Sequence, residues 1–304
     1  MTGMAISSEN KLASKEKAGL AACLPRVTAR EATRQLTSTR TWVLALLPGL
    51  AAVAITVLVA IYGGTKSEVV GTGFALHPSS SGFAYPFIAI NTERYFILPL
   101  VVAMFAGEAI AGEAYWGSLR YLLACPVSRK RLFATKTAVS ATQALVAIAL
   151  LPIMALAVGI VLSSANSLQV LDIGTPSTLF YGTQTSFGHV QALAALAGGT
   201  GLVAVSMLST FSFATFLSTL TNEPFIPVAG GVGLLMVSRA IANIPGLSAV
   251  TPLLPTAYGI HWADVLSAGG PGGTVLDMFA VQAVWCIVLL SLAVWRFTTR
   301  DMLW

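Results

Sequence analysis

Charge is scarce in this chain. Only 10% of its 304 residues are Asp, Glu, Lys or Arg, whereas a soluble domain carries about 25%. Hydrophobic residues make up 56%, and several uncharged runs exceed the ~20 residues that a helix needs to cross a bilayer. The alternating segments of about ten residues that are typical of a membrane barrel are missing. The composition therefore predicts an all-α integral membrane protein.

The chain also has few residues that bind metals or form disulfides. Its three cysteines are Cys23, Cys125 and Cys286. Their number is odd and their spacing shows no pairs, so we expect free thiols rather than a disulfide framework or a metal knuckle. The three histidines are His77, His189 and His261. They are isolated from one another and belong to no HExxH motif, so no metal site is predicted.

Motifs of catalysis and nucleotide binding are missing as well. The run GGTKS at Gly63 lacks the Gly-Lys pair and the first glycine of a phosphate loop. No serine lies in a GxSxG turn. We therefore expect no enzyme activity in this chain by itself and no directly bound cofactor.

Six membrane spans are the simplest interpretation of the apolar runs. They are predicted at residues 42–62, 95–112, 132–162, 190–220, 225–244 and 275–295. The polar residues 1–25 are predicted to form a disordered cytoplasmic tail. Together, residues 42–304 form the predicted six-helix transmembrane domain.

The basic residues predict the orientation of the chain. Of the 17 lysines and arginines, all but Lys66, Arg94 and Arg239 fall in the N-terminal segment, in the connection after span two or at the C-terminus. The positive-inside rule then places both termini in the cytoplasm. The net charge of +5 is explained by this topology, so a nucleic-acid partner is not predicted.

Two segments outside the spans are apolar enough to contact the membrane. Arg26, Arg30 and Arg34 recur at i, i+4 and i+8, so residues 26–41 are predicted to form an amphipathic helix in the headgroup layer. A solvated basic stalk is the alternative. Residues 245–273 are apolar but are interrupted by prolines and glycines, a pattern that favours a re-entrant helical hairpin before span six.

Two acids mark the end of span two. Glu108 lies in the apolar part of the span, where an unpaired carboxylate costs about 2.5–3.5 kcal/mol. It is expected either to face a translocation path or to make a hydrogen bond within the bundle. Glu113 would point about 140° away on a continuous α-helix, so the two acids are not expected to share a site.

A short amphipathic piece follows Glu113. Leu119, Leu122 and Leu123 form an apolar stripe, and Pro126 interrupts the chain before the basic cluster SRKR. Such a stripe needs a surface that buries it. The membrane surface is one candidate and a groove in a partner protein is the other.

These residues carry a resemblance to a known family. The sequence here resembles the E…GTL..LL..PVSR……K signature of the permease subunits of ABC-2 type transporters. The matching positions are Glu113, Gly117, Ser118, Leu119, Leu122, Leu123, Pro126, Val127, Ser128, Arg129 and Lys136. Ser118 departs from the usual threonine, and the signature says nothing about Glu108.

The resemblance implies a mechanism and a set of partners. Residues 112–129 would form a coupling helix that docks on a separate ATPase subunit, which would bind ATP and Mg²⁺. A second permease copy, in a homodimer, would complete the substrate path through a bacterial plasma membrane. The implied substrates are hydrophobic or amphipathic compounds such as drugs, antibiotics or lipids, moved outward as in multidrug efflux. A membrane scaffold that anchors a cytoplasmic partner is the alternative function.

The docking residues implied by the family are those of the signature from Glu113 to Arg129. For Glu113 itself, a plain interfacial acid is the alternative. Arg239, in span five, is expected near the outer surface, where its side chain extends to the headgroups. An ion pair with Asp277 or Asp264 is the other interpretation.

Overall fold

The structure is a computed structural model. It describes residues 38–63, 68–71, 73–117, 128–163, 166–172, 183–244, 246–247, 249–267 and 273–299. The predicted tail, most of the predicted amphipathic helix and the middle of the predicted coupling helix lie outside these residues. The last group includes Ser118, Leu119, Leu122, Leu123, Pro126 and Val127.

The described residues are mostly helical. The α-helices are α1 (Thr39–Tyr62), α2 (Ala84–Glu93), α3 (Ile97–Gly107), α4 (Glu113–Tyr115), α5 (Arg129–Ser163), α6 (His189–Ser206), α7 (Leu208–Leu220), α8 (Phe225–Ala242) and α9 (Gly273–Thr299). A π-helical turn, Glu108–Gly112, joins α3 to α4.

Among the described residues, six helical segments are long and apolar enough to cross a membrane, which confirms the predicted number of spans. They are Thr39–Gly63, Ile97–Tyr115, Arg129–Ser163, His189–Leu220, Phe225–Ala242 and Thr274–Thr299. The first begins at Thr39, so Arg40, which the sequence analysis assigned to the amphipathic helix, belongs to span one. The fourth span is broken at Met207, between α6 and α7.

The spans pack as an up-and-down bundle in which α1 lies along α5, and α7 lies against α3, α8 and α9. Its two ends differ. We call the end where α1 begins and α9 finishes the terminal end, because Arg129 at the start of α5 reaches Thr298 there. The opposite end, where α1 and α5 finish, is called the sheet end.

A four-stranded antiparallel sheet covers the sheet end. Its strands are β1 (Glu68–Val70), β2 (Phe74–Leu76), β3 (Leu168–Asp172) and β4 (Thr183–Phe187), in the order β1-β2-β3-β4. The central pair joins Phe74 to Asp172, far away in sequence. No strand was predicted from the sequence in these connections. Strands of three to five residues whose partners lie in a distant connection leave no local periodic signal, and this sheet was therefore missed.

Helix α2 fills the space between the sheet and the spans, and nearly all of its side chains are buried. It begins beside α5 through a pair of glycines. A Cβ atom on Gly159 would lie 2.6 Å from the carbonyl oxygen of Gly82, and one on Gly82 would lie 2.7 Å from that of Gly159. Both distances are too short for a side chain, so glycine at these two positions is what permits the close approach.

The connection before span six differs from the expected helical hairpin. Its described residues form turns and two 3₁₀ helices, Thr251–Leu253 and Gly259–Leu266. Trp262 is fully buried there, and the second 3₁₀ helix packs on α6. The closely spaced prolines and glycines remove the backbone bonds that two α-helices would need, which explains the correction.

Side chains from the spans hold this connection in place. The Gln282 side chain, which is 2% exposed, donates from Nε2 to the Pro255 carbonyl at 2.8 Å. Its Oε1 accepts from the Ser209 amide at 3.1 Å, at the break between α6 and α7. Trp285 donates from Nε1 to the Leu253 carbonyl at 3.0 Å. Backbone groups freed by the irregular turns are thus satisfied by α9.

Candidate functional site

The second span changes its helical geometry close to the terminal end. At Glu108–Gly112 it forms a π-helical turn, and Ser218 of α7 lies against this turn. The Ser218 hydroxyl accepts a hydrogen bond from the Ala111 amide at 2.8 Å and donates one to the Gly107 carbonyl at 2.7 Å. In an α-helix that amide and that carbonyl would bond to each other. The serine hydroxyl therefore replaces the missing backbone bond and supports the turn.

The π-helical turn overturns one prediction from the sequence. The angle of about 140° between Glu108 and Glu113 assumed a continuous α-helix. In a π-helix the bonded residues are five apart, so these two acids come to nearly the same face. Both now line one cavity of about 370 Å³, together with Arg40, Trp116 and Gln143. The acids share a site after all.

Each acid in the cavity has its own basic partner. Arg40 of α1 contacts Glu108 with a 2.5 Å distance between Nη2 and Oε1. The arginine side chain is 57% exposed and the glutamate is 23% exposed, so this pair is open to solvent. It ties the beginning of span one to the π-helical turn of span two. Of the two expectations for Glu108, the structure favours a bonded role within the bundle.

The second pair is buried. Lys136 Nζ lies 2.8 Å from Glu113 Oε1, and the side chains are 5% and 10% exposed. It ties the end of span two to span three. These are the first and last residues of the signature in the sequence, so the pair closes the base of the connection between them. The Glu113 carboxylate is held inside the bundle by this pair, and docking of residues 112–129 on a partner stays a prediction.

Two further signature residues are described. Gly117 ends the second span with φ of +71° and nothing near the position of a Cβ atom, a left-handed conformation that favours glycine. Arg129 begins α5, is exposed, and contacts the Thr298 carbonyl at 3.4 Å. Arg129 thus lies at the surface of the terminal end, beside the end of α9. Ser118, Leu119, Leu122, Leu123, Pro126 and Val127 remain predictions, since they lie outside the described residues.

The predicted ion pair of Arg239 is not formed. Arg239 donates to the carbonyl of Tyr95 at 3.0 Å and to that of Arg94 at 3.3 Å. Asp277 is exposed on α9, and Asp264 is paired with His261 at 2.9 Å. Among the described residues Arg239 has no carboxylate partner. The backbone carbonyls at the turn between α2 and α3 accept the hydrogen bonds of Arg239, instead of the acid predicted from the sequence.

Sequence reasoning missed three residues of the cavity region. Arg40 was counted only among the basic residues that predict the orientation of the chain, and Lys136 was noted as the last position of the signature. Ser218 was not singled out. For Lys136 a signal existed, because a lysine one turn inside an apolar run requires a counter-charge. Ser218 had no such signal, since nothing local announces a π-helical turn.

Two comparisons with known proteins bear on identity. The family model described as ABC-2 family transporter protein matches residues 26–302, which includes all six spans, both ion pairs and the signature. A comparison with curated proteins found no match.

Proposed function

The chain belongs to the ABC-2 transporter family, and we propose that it is the permease subunit of an ATP-driven exporter. A transport role in a membrane follows from the family. The finer proposal is that a separate ATPase subunit, which would bind ATP and Mg²⁺, docks on residues 112–129. A second copy of this chain completes the transporter, and the cargo is hydrophobic or amphipathic.

The observation that carries this proposal is the buried Glu113–Lys136 pair. It joins the two spans from which the connection 116–128 emerges. A partner that pulls on this connection would therefore move both spans together instead of only bending the loop. The Arg40–Glu108 pair extends the same link to span one. Three spans thus share one junction at the end of the molecule where the ATPase would act.

The proposed cycle is alternating access. Coupling between sites requires that the partner contacts differ between two states of the permease. The π-helical turn suits this role, because Ser218 supplies a substitute for its broken backbone bond. A turn of this kind can rearrange while its backbone groups stay satisfied. In this proposal, the π-helical turn is the place where a movement of the docked connection is passed on to the membrane spans.

An apolar groove supports the proposed substrate class. A cavity of about 520 Å³ opens between α3, α5, α7 and α9 and is lined by Val102, Ile148, Phe211, Leu290 and further apolar side chains. Lys130 and Thr137 are its polar members. A volume of this order holds a drug-sized molecule. Hydrophobic compounds, rather than ions or sugars, fit such a lining.

The docking proposal is tested by copurification with candidate ATPases. Leu122→Asp and Arg129→Glu are each expected to abolish complex formation and efflux together. Arg131→Glu is the matched control, since Arg131 is exposed in the same first turn of α5 and is not part of the signature. If both variants retain ATPase binding and efflux, the docking proposal fails. An ATPase-independent cytoplasmic partner captured instead would favour the scaffold alternative.

The proposed orientation has its own test. The chain has three cysteines. In one variant Cys23 and Cys286 are replaced, so that Cys125 is the single thiol. In a second variant all three are replaced, and Ser79→Cys supplies a single thiol in an exposed turn of the sheet end. In intact cells a membrane-impermeant maleimide is expected to label position 79 and to leave Cys125 unlabelled until the cells are opened. The reverse pattern would contradict the proposed cytoplasmic termini.

A further inference from the structure

Two arginines converge at the sheet end, away from the junction described above. The guanidinium carbons of Arg94 and Arg239 lie 4.5 Å and 4.4 Å from the centre of the Tyr95 ring. Cations at this distance from an aromatic ring are attracted to its face. Two cations held at one ring, however, repel each other, so the arrangement needs a further source of stability.

The protein atoms around the two arginines do not supply a counter-charge. Arg94 donates to the Gly259 carbonyl and to the Tyr95 hydroxyl, both at 2.6 Å. Arg239 donates to the carbonyls of Tyr95 and Arg94. All of these acceptors are neutral. In the described part of the chain, neither guanidinium has a carboxylate partner.

Glu93, next in sequence, does not neutralise them. Its residue is 1% exposed, and both carboxylate oxygens are buried without a hydrogen-bond partner in the described residues. Burial raises the pKa of Glu93 to about 8, so this side chain is mostly protonated and neutral at pH 7. Glu93 therefore leaves the two positive charges at the Tyr95 ring without a neutralising acid in the described chain.

Burial makes the lack of a neutralising acid costly. Arg94 is only 5% exposed, and its buried Nε has no acceptor in the described structure. A buried cation is normally paired with an anion, because removal from water is expensive otherwise. An anion bound close to Arg94 would offset the cost of burying its positive charge.

A cavity lies directly beside the pair. It has a volume of about 290 Å³, and its lining includes both arginines, the polar residues Ser206, Asn243 and Thr256, and apolar side chains such as Leu235. This volume is near the lower end of the range for ligand sites, about 300–1,000 Å³, and it has room for a phosphate group beside the two guanidinium groups. The forked guanidinium geometry matches the oxygens of a phosphate.

The position of the cavity specifies the ligand further. Arg94 and Tyr95 directly precede span two, which begins at Ile97, and Arg239 lies three residues before the end of span five at Ala242. The cavity is therefore level with the end of the spans, where lipid headgroups lie. The phosphates of anionic lipids are concentrated at this level.

We propose that Arg94, Arg239 and Tyr95 form a binding site for a phosphate group at the sheet end of the membrane domain, supplied by the headgroup of an anionic phospholipid. The site is separate from the docking junction and requires no ATPase. It holds whichever side of the membrane the sheet end faces. The same chemistry would accept a free phosphate ion, and the two sources differ in the tests below.

The test uses the full chain purified in detergent, with lipid binding followed by native mass spectrometry. Phosphatidylglycerol is the probe, and diacylglycerol with the same acyl chains is the phosphate-free control. We expect saturable binding of phosphatidylglycerol only. Arg239→Gln is expected to weaken it about tenfold, as loss of one charge-assisted contact does, whereas Arg239→Lys keeps the charge and retains part of the affinity. Arg131→Gln, exposed at the terminal end, is the matched control and should bind as the unaltered protein does.

A second arm uses inorganic phosphate alone, with the melting temperature as the readout. If phosphate raises the melting temperature in the unaltered protein but not in Arg239→Gln, and lipid does not bind, the site is a phosphate site whose source is the free ion. Arg94→Lys, which keeps the positive charge and a donor to the Gly259 carbonyl, repeats the test at the second arginine. Equal binding of diacylglycerol, or unchanged phosphate and lipid binding in both Arg239→Gln and Arg94→Lys, would overturn the proposal. ATPase copurification is unaffected by either result, so this proposal and the docking proposal fail separately.

Discussion

The two charged cavities, one at each end of the bundle, differ in whether their charged side chains are paired. At the terminal end, the cavity beside the π-helical turn holds two acids, and each has a basic partner, Arg40 for Glu108 and Lys136 for Glu113. At the sheet end, Arg94 and Arg239 contact only neutral acceptors within the described chain. The charges that line the first cavity balance each other, whereas the two arginines of the second have no acid partner in the described chain.

This difference separates two kinds of role. Charges that neutralise each other across spans link those spans mechanically and leave little attraction for a ligand. Positive charges without an acid partner in the protein instead favour the binding of an external anion. The terminal end is therefore suited to transmit movement, and the sheet end is suited to bind.

The largest expected effect comes from breaking the buried pair at the terminal end. Lys136→Met leaves the Glu113 carboxylate buried without its lysine, which typically costs about 3–5 kcal/mol. We expect poor yield and a clearly lower melting temperature in detergent. Lys130→Met, on the exposed side of the same helix, is the control and should melt normally. Because removing both charges avoids the stranded acid, Glu113→Leu combined with Lys136→Met should recover most of the stability. A normal melting temperature for Lys136→Met alone would contradict the pair.

The next effect concerns the support of the π-helical turn. Ser218→Ala removes the hydroxyl that bonds both the Ala111 amide and the Gly107 carbonyl. Buried backbone groups left unsatisfied cost about 1–3 kcal/mol, so the melting temperature should fall measurably. Ser212→Ala is a matched control, since the Ser212 hydroxyl only bonds the Leu208 carbonyl one turn back in its own helix. Equal shifts in the two variants would show that the Ser218 bridge does not support the turn.

A further effect, at the sheet end, depends on pH. The pKa of Glu93 is raised from 4.5 to about 8, so the folded protein binds more protons than the unfolded chain between these values. Stability should therefore fall as the pH rises from about 4.5 to about 8. Glu93→Gln, which is neutral at every pH, should flatten this part of the curve and melt higher than the unaltered protein at pH 8. If the melting temperatures of the unaltered protein and of Glu93→Gln change in parallel from pH 5 to pH 8, Glu93 is ionised in the folded protein over this range.

The smallest effect on stability is expected for the exposed pair at the terminal end. Arg40→Gln removes a solvent-accessible ion pair, worth about 0–1 kcal/mol, so the melting temperature should change little. If the pair links span one to the π-helical turn, transport should fall while ATPase copurification is retained. Arg131→Gln again serves as the control. Unchanged transport in Arg40→Gln would limit the junction to spans two and three.

The architecture was largely predictable from the sequence, because long apolar runs and the distribution of basic residues act locally and strongly. The six spans follow from them, and the family resemblance rests on the signature between spans two and three. The four-stranded sheet did not, since pairs such as Phe74 with Asp172 depend on segments that meet only in the folded chain. The site was half predicted. Glu108 and Glu113 were singled out, but Arg40 and Lys136 were not recognised as their partners.

Neighbouring residues alone were enough to predict that this chain crosses a membrane six times and presents an ABC-2 signature between spans two and three, because hydrophobicity and short motifs are local properties. That Glu108 and Glu113 share a cavity could be seen only in the folded chain. Their common face depends on the π-helical turn, and that turn depends on a hydroxyl from Ser218, more than a hundred residues later in the chain. The pairing of Glu113 with Lys136 depends in the same way on which helices lie side by side. So does the finding that Arg94 and Arg239 meet no carboxylate within the part of the chain that the structure describes.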